Sequence, residues 1–162
     1  TAKISWPVEN IMIIFLQKYH FKFIKIIHLF SNKSDMEKQL KAVELFHTSF
    51  GLGVAHEMRA DLGDSKNNLR FNLMKEENEE YLEAVQNNDI IEIADALGDM
   101  LYILCGTIIE HGLQDKIEAI FNEIQRSNMS KLGEDGQPIY REDGKVMKGP
   151  NYFKPNFDEI LK

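Results

Sequence analysis

Cysteine is nearly absent: the 162 residues contain one, Cys105. A lone thiol excludes an internal disulfide, and Ile103, Leu104 and Ile108 around it make it a small packed hydrophobe in a reducing, cytoplasmic setting. Nor is there an apolar run fit to cross a bilayer. Residues 11–30, IMIIFLQKYHFKFIKIIHLF, come nearest, but Lys18, Lys22, Lys25 and two histidines interrupt them, and each mid-span charge costs roughly 2.5–3.5 kcal/mol. A small-residue signal-cleavage site, a Gly-Lys-Ser/Thr phosphate loop and a Cys/His zinc set are all missing. These absences argue against a membrane anchor, a secretory signal, a P-loop nucleotidase and a zinc site. The net charge of −7 argues against nonspecific nucleic-acid binding.

Positive charge is concentrated at one end. Residues 1–35 carry five lysines against Glu9 and Asp35, a net +3, which leaves −10 for the rest. The break SNKSD and the fresh helical pattern from Met36 mark residues 1–35 as an amino-terminal extension and residues 36–162 as the working domain, with Met36 a candidate start. The length suits one domain with its own core.

From Met36 the pattern is helical. MEKQLKAVELFHTSF spaces Leu40, Val43, Phe46 or His47, and Phe50 as a helix that Gly51 and Gly53 end, with the phenylalanines expected in the core. Residues 51–68 read as a loop. Further helices are expected at about 69–86, 89–111 and 114–128, the third stopped by His111-Gly112. Two Asp-Gly turn signals and three of the four prolines then make residues 129–162 a turn-rich tail or hairpin. The fold class is all-α, a bundle of four to five helices with this tail.

Cations are absent where acids are densest: residues 76–115 hold eleven carboxylates and no Lys or Arg. With about 100° per residue, Glu77 falls in the middle of the apolar face of its helix. Glu80 lies at the edge of that face, Glu76 flanks it, and Glu79 and Glu83 look outward. On the next helix Glu92, Asp95 and Asp99 form a stripe about 60° wide. A solvated face normally offers cations at i±3 or i±4, worth roughly 0.2–0.5 kcal/mol per pair. Here Glu76–Glu80 and Asp95–Asp99 are like-charged instead. Ionised carboxylates kept beside apolar residues call for bound cations, and an all-oxygen donor set suits Mg²⁺ or Mn²⁺. A di-iron bundle needs two Glu-x-x-His motifs, and only Glu44–His47 supplies one.

EENEEYLEA followed by EIADALGDMLY resembles the paired metal-binding helices of the all-α nucleoside triphosphate pyrophosphohydrolases, the superfamily of MazG, dimeric dUTPases and phosphoribosyl-ATP pyrophosphohydrolase. Glu76, Glu77 and Glu80 match its Glu-Glu-x-x-Glu, and Glu92 and Asp95 its Glu-x-x-Asp. Asp99 precedes Met100-Leu101-Tyr102 as the family's Asp precedes two apolar residues and an aromatic, so Glu92 and Asp99 both stand as partners of Asp95. The resemblance runs from about Met36 to the end, is strongest to the phosphoribosyl-ATP branch, and implies a MazG-like bundle.

It also implies Mg²⁺-dependent cleavage of a nucleoside triphosphate to a monophosphate and pyrophosphate, in a homodimer or homotetramer. Glu77, Glu80, Glu92, Asp95 and Asp99 would then be metal ligands, with Glu76 or Glu80 taking a proton from the attacking water. His47, Arg70, Asn128, Lys131, Lys145 and Lys148 are the candidate substrate contacts. The alternative is a non-catalytic helical nucleotide-binding or assembly module.

Overall fold

Residues 35–162 are the part of the chain that the computed structural model describes. Residues 1–34 of the expected amino-terminal extension, with its apolar segment at residues 11–30, lie outside the described residues, and the last residue of that extension, Asp35, opens the first described helix. Four helices follow in order: α1 (Asp35–Ser49), α2 (Asp64–Gln86), α3 (Ile90–Glu110) and α4 (Ile117–Met129). Among the described residues there is no strand, only an isolated bridge between Tyr140 and Val146, so the all-α architecture holds. None of these helices is long and apolar enough to cross a membrane.

α1 buries Leu40, Val43 and His47, an i, i+3, i+7 stripe. Phe46 and Phe50, expected in the core, are instead 38% and 69% exposed. The inward position goes to His47 because its ring finds polar partners inside, as described below. Leu40 and Val43 pack on Cys105, Ile108 and Ile109 of α3, with Met36, Val54, Leu113 and Ile117 half-buried around them. A fully buried aliphatic side chain of this kind contributes about 1.5–3 kcal/mol. Burial pushes the Cys105 thiol above its ordinary pKa.

α2 starts at Asp64, five residues before the expected Leu69. One oxygen of Asp61, Oδ1, accepts from the Gly63 N–H and from Asn67 Nδ2, both at 2.8 Å. That local knot turns the chain into a helix through a run whose composition reads as loop. Asp64 itself sits favourably at the positive end of the helix dipole.

The turn between α2 and α3 is tight. Asn88 adopts φ 53, and Asp89 caps α3 by accepting the N–H groups of Ile91 at 3.0 Å and Glu92 at 3.2 Å. α2 and α3 therefore form an antiparallel hairpin, the most extensive helix pairing in the fold. At the far end Gly112 (φ 71) closes α3, with Gly112 N–H on Ile109 O at 3.1 Å and Leu113 N–H on Ile108 O at 3.0 Å. A Cβ at Gly112 would lie 2.3 Å from Glu57 O.

α4 begins three residues later than the expected Gln114. Gln114 Nε2 donates to Ala55 O at 2.8 Å, and the Leu113 carbonyl takes the Lys116 and Ile117 N–H groups in a preliminary turn. The tail then makes the expected hairpin across Asp143-Gly144, with Met147 N–H on Ile139 O at 2.7 Å and Arg141 N–H on Lys145 O at 2.8 Å. It returns along α4: Gly149 N–H binds Lys131 O, Ser127 Oγ donates to Phe153 O, and Asn156 N–H donates to Glu123 Oε1.

Candidate active site

The α2–α3 pairing decides which acids face one another. Glu77 is half-buried, and its Oε2 is enclosed without a hydrogen-bond partner. Its carboxyl is held above the usual range, first by desolvation and then by the charges of Glu80, Asp99, Glu76 and Asp95. Those five carboxylates belong to one neighbourhood. Glu92 is not among the groups acting on Glu77; it lines a cleft one turn nearer the hairpin with Glu80, Glu83, Ala84, Asn87 and Asp89. Glu80 thus borders both groups.

Glu76, Glu80, Glu92, Asp95 and Asp99 are all exposed, and none forms an ion pair among the described residues. The flanking acids do: Glu79 reaches Lys75 at 3.0 Å and Glu110 reaches Lys66 at 3.4 Å. Among the described residues, no three His, Cys, Asp or Glu side chains converge closely enough, as they stand, to hold an ion. Five exposed like charges repel, and their side chains splay toward solvent. The donor chemistry and the orphaned Glu77 Oε2 nevertheless fit a hard divalent cation.

His47 and Arg70, expected at the substrate, lie in a buried polar network between helices. His47 Nδ1 is 2.8 Å from Gly53 O and 4.0 Å from Glu110 Oε1. Arg70 donates from Nε to Thr107 Oγ1 at 3.0 Å and from Nη2 to Ile103 O. Desolvation lowers the Arg70 pKa and the nearby Glu110 charge opposes that shift. Lys66 completes the group 3.4 Å from Glu110 Oε2, an ion-pair contact that leaves this oxygen without a hydrogen bond.

Gly106, Thr107, Glu110 and Lys66 did not stand out in the sequence. The one available signal is Gly106, an isolated glycine inside the apolar run of α3.

The remaining substrate candidates lie elsewhere. Asn128 and Lys131 bond each other at 2.7 Å at the end of α4, Lys148 stacks on Tyr152 with 4.4 Å to the ring centroid, and Lys145 is exposed on the tail hairpin. An aromatic ledge does adjoin the acids. Tyr102, one turn beyond Asp99, meets Phe46 edge-on at 5.6 Å, and Phe46 stacks on Phe50 at 4.4 Å.

Two carboxylate-bearing helices in a tight antiparallel hairpin are the arrangement that the acidic motifs anticipate. Residues 43–128, more than half of the chain, match the family model for phosphoribosyl-ATP pyrophosphohydrolase. The chain belongs to the phosphoribosyl-ATP pyrophosphohydrolase family. The matched span takes in α2, α3 and every acid of the cluster, and stops short of the tail lysines. An uncharacterised protein of Acanthamoeba polyphaga mimivirus is 30% identical over 94 residues, 58% of this chain and 34% of that protein. The chain thus spans about a third of the length of that curated relative.

Proposed function

We propose that this member of the phosphoribosyl-ATP pyrophosphohydrolase family is a Mg²⁺-dependent nucleotide pyrophosphohydrolase that splits a nucleoside triphosphate, ribo or deoxy, into a monophosphate and pyrophosphate. The observation that carries the proposal is the half-buried Glu77, one oxygen unpartnered, among four further carboxylates that form no ion pair among the described residues. Glu77, Glu80, Asp95 and Asp99 would hold Mg²⁺ or Mn²⁺, with Glu92 at the margin, once the exposed side chains rotate inward. When bound, the ion neutralises phosphate charge and lowers the pKa of water.

The chain's own groups supply the rest. Glu76 or Glu80, both exposed, takes the proton as the water oxygen bonds to the α-phosphorus and the bond from that phosphorus to the bridging oxygen breaks. Pyrophosphate leaves with the bridging oxygen. Phe46, Phe50 and Tyr102 offer a base a stacking surface, and Lys131, Lys145 and Lys148 offer the tail's positive charge to the phosphates.

A second copy of the chain would complete the fold. Ile90, Leu97, Leu101 and Leu104 make a continuous stripe along α3 at 43–73% exposure, a face a homodimer or homotetramer would cover. The test is pyrophosphate release from ribonucleoside and deoxyribonucleoside triphosphates and phosphoribosyl-ATP, with and without Mg²⁺. Metal-dependent release supports the enzyme; nucleotide binding with no release from any of them supports a non-catalytic module.

A further inference from the structure

A buried arginine needs a structural reason, because removing a charge from water costs several kcal/mol unless its hydrogen bonds are replaced. Arg70 is 9% exposed. Its guanidinium binds the backbone and a hydroxyl of α3, namely Ile103 O and Thr107 Oγ1, and Thr107 Oγ1 in turn donates to Ile103 O at 2.8 Å. The residues that carry these acceptors are one helical turn apart in sequence, and their two oxygens lie side by side, 2.8 Å from each other. A planar fork that engages both fixes position along the helix axis, which a single point charge does not.

The contact depends on an absent side chain. A Cβ at Gly106 would lie 2.9 Å from Arg70 Nη2 and 2.8 Å from His47 Nε2. Glycine inside a helix costs about 1 kcal/mol relative to alanine, so its place here is explained by the space it leaves.

The same register runs the length of the hairpin. Lys66 and Glu110, Arg70 and Gly106, and Glu77 and Asp99 are three facing pairs, and the two members of each are equidistant in sequence from the turn residue Asn88. Arg70 precedes Glu77 and Gly106 follows Asp99 by the same two turns, about 10 Å of helix. We infer that Arg70 is a positioning residue whose clamp on Ile103 and Thr107 sets the axial register of α2 on α3, and so the spacing of Glu77 from Asp95 and Asp99. The inference rests on the metal-site reading proposed above and moves Arg70 from substrate contact to support of that site.

The test measures Mn²⁺ binding to the full chain without nucleotide, by titration calorimetry and by the Mn²⁺ electron paramagnetic resonance signal, alongside thermal unfolding. The variants are Arg70→Lys, which keeps the charge and loses the fork, and Thr107→Val, which removes one acceptor at nearly constant shape. Glu77→Gln is the ligand control. Both register variants should bind Mn²⁺ roughly 10- to 100-fold more weakly, the usual cost of removing a support of a metal ligand. Thr107→Val keeps the proposal testable if Arg70→Lys does not fold.

Wild-type Mn²⁺ affinity in both register variants, with only a lower Tm, would overturn the inference and make the network ordinary packing. Unchanged Mn²⁺ affinity with a raised nucleotide KM would return Arg70 to substrate binding. If the wild-type chain binds Mn²⁺ no better than Glu77→Gln, the metal-site reading itself fails and the inference falls with it.

Discussion

Lys66 and Glu110 meet at 3.4 Å at the open end of the α2–α3 hairpin, and each is as far in sequence from Asn88 as the other. Glu77 and Asp99 obey the same rule nearer the turn, but there, among the described residues, neither has a cation as its ion-pair partner. One register thus yields a neutralised pair at one end and an accumulated negative charge in the middle. The contrast separates acids that hold the fold together from acids held apart by it.

Glu77→Gln and Asp95→Asn should each lower Mg²⁺-dependent hydrolysis by about 100-fold or more, the scale of losing a group that stabilises transition-state charge. Stability should move the other way at Glu77. Its charged form is disfavoured by burial and by four like charges, so the metal-free Glu77→Gln variant should melt above the wild type. Pyrophosphate assay and calorimetry on the same samples check both signs; full activity in either variant removes that residue from the ligand set.

Mg²⁺ should raise the Tm and EDTA lower it, since an ion bound only by the folded chain stabilises by about 2.7 kcal/mol at 100 times its Kd. The effect should shrink with acidity. The folded-state pKa of Glu77 is raised, so protons compete with the ion from above the ordinary carboxylate range downward. Without metal the sign reverses: the native state binds more protons than the unfolded chain between the two pKa values, and Glu77 contributes stability as pH falls through that window. Melting curves from neutral pH to the ordinary carboxylate range, with and without Mg²⁺, should converge at low pH; a constant gap would contradict the assignment.

Glu123 ties the tail to α4. Its two oxygens take the Arg126 guanidinium at 2.8 and 2.9 Å, Oε1 also accepts the Asn156 N–H at 2.8 Å, and Arg126 lies 4.3 Å over Phe153. These bonds hold the Glu123 pKa below its ordinary value, the Arg126 hydrogen bond first. Their stability is present above the unfolded carboxylate pKa and is lost as pH falls through the depressed folded one. Glu123→Gln should speed amide exchange of residues 153–158 while leaving α2 and α3 protected; unchanged exchange there would show that Glu123 does not hold the tail.

The α3 stripe predicts a solution mass of at least twice 18.8 kDa. Leu101→Glu, placing a charge within the stripe, should shift the protein toward monomer in light scattering without loss of helical circular dichroism. A monomeric wild type would leave the stripe without its proposed cover.

The helices and the acids were legible in the sequence because both follow from local rules. A period of 3.6 residues places Glu77 among apolar neighbours whatever surrounds it, and a 40-residue span with eleven acids and no Lys or Arg leaves those acids without local partners. The His111-Gly112 pair marked where α3 ends, and Asp143-Gly144 marked the tail hairpin. Helix starts were less legible, since the Asp61–Asn67 knot and the Gln114–Ala55 bond depend on how a loop closes. Only the tertiary structure decided that Asp99 rather than Glu92 faces Glu77, that His47 rather than Phe46 turns inward, and that Arg70 grips α3 through the space above Gly106. Each of these depends on the axial register between helices, which is fixed by side chains distant in sequence meeting at one place. Spacing along a single helix determines a face, but it carries no information about what stands opposite.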